Sequence, residues 1–213
     1  MNLYAELGHS FSALSVFREM QEEGMINPSR DTFLCVLKVC ARVGSLEKAH
    51  NIHDSILRNG FELDPRIRSS LVHLYAKCHS LLDAQKVFDG LNGDDVAAWN
   101  ALIGGYAQHG HGQEALYYFG QMQRVGLSPN AITFACILKA CGNIGATEKG
   151  KDIHAEIVRE GLLTHNSVLG TALVDMYVKC GVLAKAQDVL GRLSARNEVC
   201  WSAVIAGYIQ QGL

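Results

Sequence analysis

Seven cysteines, nine histidines and a scatter of small hydroxyl and amide side chains are the groups in this 213-residue chain with chemistry to offer. The cysteines contain no C-x-x-C pair, so their spacing supports neither a zinc ligand set nor a redox couple. His154-Ala155-Glu156 fits the H-x-E half of a zinc deaminase site, in which the histidine would hold the metal and the glutamate would move protons. The other half, P-C-x-x-C, is missing. Gly104-Gly105 lies in a stretch with helical spacing and is no phosphate loop; the adjacent Tyr106 suggests close helix packing instead. No Ser/His/Asp or Cys/His arrangement for nucleophilic catalysis is left, and no catalytic residue, metal site or cofactor is expected.

Self-comparison explains most of these groups as repeated positions. A shift of 101 residues places Thr32, Phe33, Cys35, Leu37, Lys38, Cys40, His53 and others on identical residues, giving 14 identities in the 29 positions from Thr32 to Gly60. A shift of 102 matches Leu71, Val72, Tyr75, Lys77 and Cys78 to Leu173, Val174, Tyr177, Lys179 and Cys180, and Trp99 to Trp201. Cys35, Cys40 and Cys78 thus recur as Cys136, Cys141 and Cys180 and read as small core residues. His154 repeats His53, whose triplet is His53-Asp54-Ser55, so the H-x-E match belongs to the repeat. Trp99 and Trp201 share one position and read as core.

The elements that must carry these residues are helices. Leu102, Ile103 and Tyr106 lie on one side of a helix; after the break at His109-Gly110-His111-Gly112, Ala115, Leu116, Phe119 and Met122 do the same for a second. Pro28, Pro65 and Pro129 all fall at junctions. The expected fold is all-α, a right-handed α-solenoid (superhelix) of stacked antiparallel helix-turn-helix units. The units are placed at 1–29 (partial), 30–64, 65–95, 96–130, 131–166, 167–197 and 198–213 (partial). Each buries its apolar face by stacking on the next.

Units of these lengths, with Val96 to Tyr106 and Ala115 to Asn130 as a standard unit, Thr133 to His154 as a long one and Ala172 to Val189 as a short one, resemble the pentatricopeptide repeat family. The order matches its plant-type variety of alternating standard, long and short repeats. That resemblance implies single-stranded RNA binding with one unit per base, read by the fifth and last residues of each unit. Asn100 and Asn130 resemble a pyrimidine reader, cytosine before uracil; Ser69 and Asp95 a guanine reader; Thr171 and Asn197 an adenine reader; Ser202 implies a purine. The long units carry Leu34 with Asp64 and Ala135 with Asn166, and an apolar fifth residue cannot hydrogen-bond a base. The implied RNA is 5′-G-Y-N-A-R-3′. By the same resemblance the second residues, Arg66, Ala97, Val168 and Val199, wedge between neighbouring bases, Arg66 by stacking its guanidinium plane.

Charge bears on the same reading. The chain has 19 Lys plus Arg against 21 Asp plus Glu, a formal −2, which by itself gives no sign of a nucleic-acid partner. The first-helix segments, however, sum to +5 and the remainder to −7. Arg42, Lys77 and Lys179, near the ends of first helices, form a candidate phosphate-tracking stripe. The implied function is the site-recognition module of an organellar RNA-processing factor. C-to-U editing stands first, with splicing or transcript stabilisation, or a peptide-binding scaffold, as alternatives. Other RNA-editing or processing proteins are candidate partners, exposed half-units could bind a second copy, and no membrane partner is expected. Mitochondrion or chloroplast is the implied location, although Met1 to Ser10 is neither a signal nor a basic transit peptide.

Overall fold

The computed structural model describes residues 10–23, 27–91, 95–163, 166–193, 198–210 and 212. Among them are twelve α-helices and no strand. Six are first helices of a pair: α2 (Arg30–Val43), α4 (Pro65–Lys77), α6 (Val96–Gln108), α8 (Ala131–Ile144), α10 (Ser167–Lys179) and α12 (Glu198–Gln210). The others are second helices: α1 (Ser10–Glu23), α3 (Leu46–Arg58), α5 (Leu81–Asp89), α7 (Gly112–Arg124), α9 (Thr147–Arg159) and α11 (Leu183–Arg192). The architecture is a solenoid of helix pairs, divided by its internal contacts into two compact halves, Met1–Gly105 and Tyr106–Leu213.

The helices are short because each is closed at both ends by its own sequence. Ser29, Asp64, Asn130 and Asn166 cap the starts of α2, α4, α8 and α10, each side-chain oxygen accepting from N–H groups of the first turn. Pro65 opens α4, where its missing N–H would have had no partner in the helix. Gly44 and Gly145 end α2 and α8 in the left-handed region, at φ 69° and 66°, which a side chain would disfavour. Neither is copied by accident: they stand 101 residues apart in equivalent places.

In the first half α1 packs on α2, α2 on α4, and α4 on α5. Phe17, Phe33 and Phe61 form a run of edge-on rings, with centroids 5.9 and 5.5 Å apart. Leu37, Ile56, Ile67, Leu71 and Leu74 fill the rest of this core. Burying each such side chain stabilises the fold by about 1.5–3 kcal/mol. Trp99 packs edge-on against Phe88 with centroids 4.7 Å apart and is 5% exposed, a core residue. Gly105 is placed so that a Cβ would stand 2.8 Å from Ala76 Cβ, which explains the glycine inside α6 as a point of helix contact.

The second half repeats the plan: α7 packs on α8, α8 on α10, and α10 on α11 and α12. Phe119 and Phe134 meet at 6.4 Å, and Ile137, Leu138, Leu173 and Val174 are fully buried. Tyr106 stacks on Tyr118 at 5.3 Å with planes 13° apart. Gly207 answers to Gly105, with a Cβ there 2.8 Å from Leu183 Cδ2 and Val178 Cγ1. The repeat fails at Trp201, expected in the core beside Trp99 but 48% exposed. The position of Phe88 is taken by Leu190, and α12 is the last described helix, so less surface is available to cover the ring.

Candidate nucleic-acid interface

The expected last-residue readers are also helix caps. Asp95 Oδ1 accepts from the Ala97 N–H at 2.9 Å, at the start of α6. Asn130 Oδ1 accepts from Ile132 and Thr133 N–H at 3.0 and 3.1 Å, while the Asn130 N–H donates to Thr133 Oγ1 at 3.0 Å, completing a capping box. Asp64 and Asn166, from the long units, do the same for α4 and α10. Asn197 lies outside the described residues. A cap uses one side-chain oxygen, and this decides what the residue has to offer a base. An asparagine offers N–H donors; an aspartate offers a second carboxylate oxygen, which only accepts. In Asp64 that second oxygen faces the Arg30 guanidinium at 3.7 Å.

The fifth residues sit one turn into the same helices. Ser69 Oγ donates to the carbonyl oxygens of Pro65 and Arg66 at 3.0 and 3.2 Å. Thr171 Oγ1 donates to the Ser167 carbonyl at 2.9 Å. Both are half-buried, Ser202 is exposed, and Asn100 is the most enclosed of the described readers at 8% exposure. Leu34 and Ala135 in the long units are half-buried.

The second residues of the units are exposed. Val168 and Val199 are 64% and 61% exposed, so ordinary core packing does not account for them. Ala97 and Arg66 are exposed as well. Ile132, which sequence reasoning missed, is 62% exposed at the same place in its unit. Its register, directly after Asn130-Ala131, carries the signal. The second half therefore presents three branched apolar side chains, Ile132, Val168 and Val199, each in the first turn of a first helix.

The cation stripe is uneven. Arg42 and Lys77 are exposed near the ends of α2 and α4. Lys179 Nζ pairs with Asp175 Oδ2 at 2.8 Å. An exposed i,i+4 pair contributes only about 0.3–0.5 kcal/mol, so a phosphate competes with it at modest cost. At the place of Asp175 the earlier short unit has His73.

The deaminase-like histidine is fully accounted for. His154 Nδ1 is 2.9 Å from the Tyr177 hydroxyl, and His53 is 2.9 Å from that of Tyr75. Burial lowers the pKa of both histidines and raises those of Tyr75 and Tyr177. Among the described residues no three His, Cys, Asp or Glu side chains gather as metal ligands. None of the described helices is long and apolar enough to cross a membrane.

A solenoid of helix pairs, with polar caps at the starts of α2, α4, α6, α8 and α10 and exposed apolar side chains at the starts of α8, α10 and α12, defines a helical-repeat protein. The chain belongs to the pentatricopeptide repeat family: models described as PPR repeat family, pentatricopeptide repeat domain and PPR repeat match residues 94–143, 1–43 and 31–61. An Arabidopsis thaliana pentatricopeptide repeat-containing protein is 34% identical over 209 residues, covering 98% of this chain and 35% of the relative. Another from Arabidopsis thaliana, named as mitochondrial, is 36% identical over 210 residues, covering 98% and 30%. A third, named as chloroplastic, is 34% identical over 200 residues, covering 94% and 32%. The chain thus spans about a third of the length of these relatives. The crystal structure of the maize pentatricopeptide repeat protein PPR10 in complex with an 18-nt psaJ RNA element shares the fold. Its TM-score is 0.59 at 21% identity, over 99% of this chain and 36% of that one. Nuclear proteinaceous RNase P 2 of Arabidopsis thaliana shares it at TM-score 0.57 and 14% identity, over 73% and 36%.

Proposed function

We propose that this chain is a single-stranded RNA-binding segment of an organellar RNA-processing factor of the alternating standard, long and short subclass, serving site recognition in C-to-U editing. The observation that carries the reading is the pairing, at successive first-helix starts, of a capping amide or carboxylate with an exposed side chain one residue into the helix: Asp95 with Ala97, Asn130 with Ile132, Asn166 with Val168. Exposed branched residues bring little to a free protein in water. Between two bases they gain dispersion contacts and exclude water, and the neighbouring cap then stands at the base edge. PPR10, solved with RNA, supports this use of the fold, and the organelle names of the relatives support the location.

The capping chemistry agrees with the readers assigned by resemblance. Asn130 offers an N–H donor, matched by N3 of cytosine. Asp95 offers an acceptor, matched by N1–H of guanine. Recognition is the whole of the chain's role; an editing reaction would be carried out by a separate domain or a recruited protein. In the order 5′-G-Y-N-A-R-3′, each discrimination contributes about 1–3 kcal/mol, enough to bias binding. The decisive experiment is fluorescence anisotropy with single-stranded oligonucleotides carrying a GCNAG core or a shuffled CANGC core. Tighter binding of the first supports the reading, and equal affinity sinks the base assignment.

A further inference from the structure

The fifth residue of a unit and the residue one turn beyond it lie on the same side of the first helix, about 6 Å apart along its axis. In the standard and short units these pairs are Ser69 with His73, Asn100 with Gly104, Thr171 with Asp175 and Ser202 with Ala206. In the two long units they are Leu34 with Lys38 and Ala135 with Lys139. A lysine thus stands one turn beyond the fifth residue in both units where that residue cannot hydrogen-bond a base, and in none of the others. Both lysines are exposed, and among the described residues neither ammonium is held by a hydrogen bond or an ion pair. Lys139 is moreover the only charged residue of α8. One turn farther along, where the stripe of Arg42, Lys77 and Lys179 runs, α8 has Asn143, whose amide donates to the Ala107 carbonyl at 2.9 Å.

We infer that Lys38 and Lys139 are phosphate-binding residues that make the long units sequence-blind grips: each holds its nucleotide by the backbone phosphate and leaves the base edge unread. An ammonium is a compact charge with three donors and accepts a phosphate in many orientations, so its position need not be set to the precision that reading a base edge demands. The phosphate is the same for all four nucleotides, and contact with it adds affinity without discrimination. Leu34 and Ala135 can touch a base by dispersion alone, which any base satisfies. The short and standard units then select, and the long units between them hold the strand. The inference rests on the proposed use of the first helices as the RNA-binding side.

The test measures binding of the 213-residue chain to GCNAG RNAs, with N as A, G, C or U, over a series of salt concentrations; the unit of Lys139 faces N. The unaltered chain binds all four alike. Lys139→Gln weakens all four to the same degree, about threefold to tenfold, and flattens the slope of log K against log salt by about 0.7. Lys139→Arg, which keeps the charge, keeps affinity and slope. Lys149→Gln, the same loss of charge at an exposed lysine of the second helix α9, leaves both unchanged. A neutral methylphosphonate at one of the two phosphates flanking N weakens binding to the unaltered chain as much as Lys139→Gln does, and the two changes together add nothing more. Lys38→Gln repeats the result on RNAs lengthened by one 5′ nucleotide. An unchanged slope in Lys139→Gln, an equal effect of Lys149→Gln, or a loss confined to one base overturns the role of Lys139 alone. Failure of the unaltered chain to bind any of these RNAs overturns the RNA-binding reading itself.

Discussion

His154 Nδ1 and the Tyr177 hydroxyl lie 2.9 Å apart, tying the second helix of one repeat to the first helix of the next. The same tie joins His53 to Tyr75, with ring centroids 5.7 Å apart in both pairs. A polar contact kept in an otherwise apolar junction fixes the stacking register, since any other register would leave both groups without a partner.

Burial lowers both histidine pKa values below the ordinary 6.5. The unfolded chain therefore takes up protons more readily than the folded one. Stability is complete above about pH 6.5 and falls as the pH drops below it. Thermal melts at pH 7.5 and 5.5 check this: a lower Tm at pH 5.5 is expected, and a shallower dependence in His53→Asn plus His154→Asn. Tyr177→Phe, which strands the imidazole, is expected to cost about 1 kcal/mol, roughly 2–4 °C in Tm.

At Gly105 and Gly207 an added methyl must displace a neighbouring side chain. Gly105→Ala would press its methyl against Ala76 Cβ, and Gly207→Ala against Val178 and Leu183. Each is expected to destabilise by about 1–3 kcal/mol. Gly120→Ala, in α7 with nothing within 4 Å of the added methyl, is expected to stabilise by about 0.5–1 kcal/mol. Urea unfolding of the three variants separates contact from helix propensity.

Capping and reading can be taken apart at Asn130. Asn130→Ala is expected to lose about 1 kcal/mol of stability along with base preference. Asn130→Asp keeps an oxygen for the Ile132 and Thr133 N–H groups and so keeps the stability, within a few tenths of a kcal/mol. Its remaining oxygen accepts where the amide donated, so the preferred base at this unit shifts from cytosine to uracil. Anisotropy titrations beside chemical melts read both effects.

Asp175 is expected to act as a brake on RNA binding, through its 2.8 Å pair with Lys179. Asp175→Asn releases the ammonium, and affinity for RNA rises. If one further phosphate is contacted, the slope of log K against log salt steepens by about 0.7. Lys77→Ala moves affinity and slope the other way. A salt series on both variants decides; parallel slopes would remove these lysines from the phosphate path.

Most of the architecture was legible in the residues because it is written several times. The apolar sets Leu102, Ile103, Tyr106 and Ala115, Phe119, Met122 can be placed only on helices, and a second copy 101 or 102 residues away removed the competing explanations for His154 and for the cysteines. The caps were legible in principle too, since Asp or Asn stands before Pro65, Val96, Ala131 and Ser167.

Periodicity, then, is what the chain alone determined: which residues repeat, which face of each helix is apolar, and where helices begin and end. These depend on neighbours within a few positions and on identity at a fixed shift, and both are properties of order along the chain. Tertiary structure decided what depends on approach between distant residues. It enclosed Asn100, exposed Trp201 while burying Trp99, bound Lys179 to Asp175, and set Cys200 beside Thr171. Equivalent positions in a repeat share their backbone but not their surroundings. The surroundings are fixed by side chains 29 to 36 residues away, and there the copies have diverged.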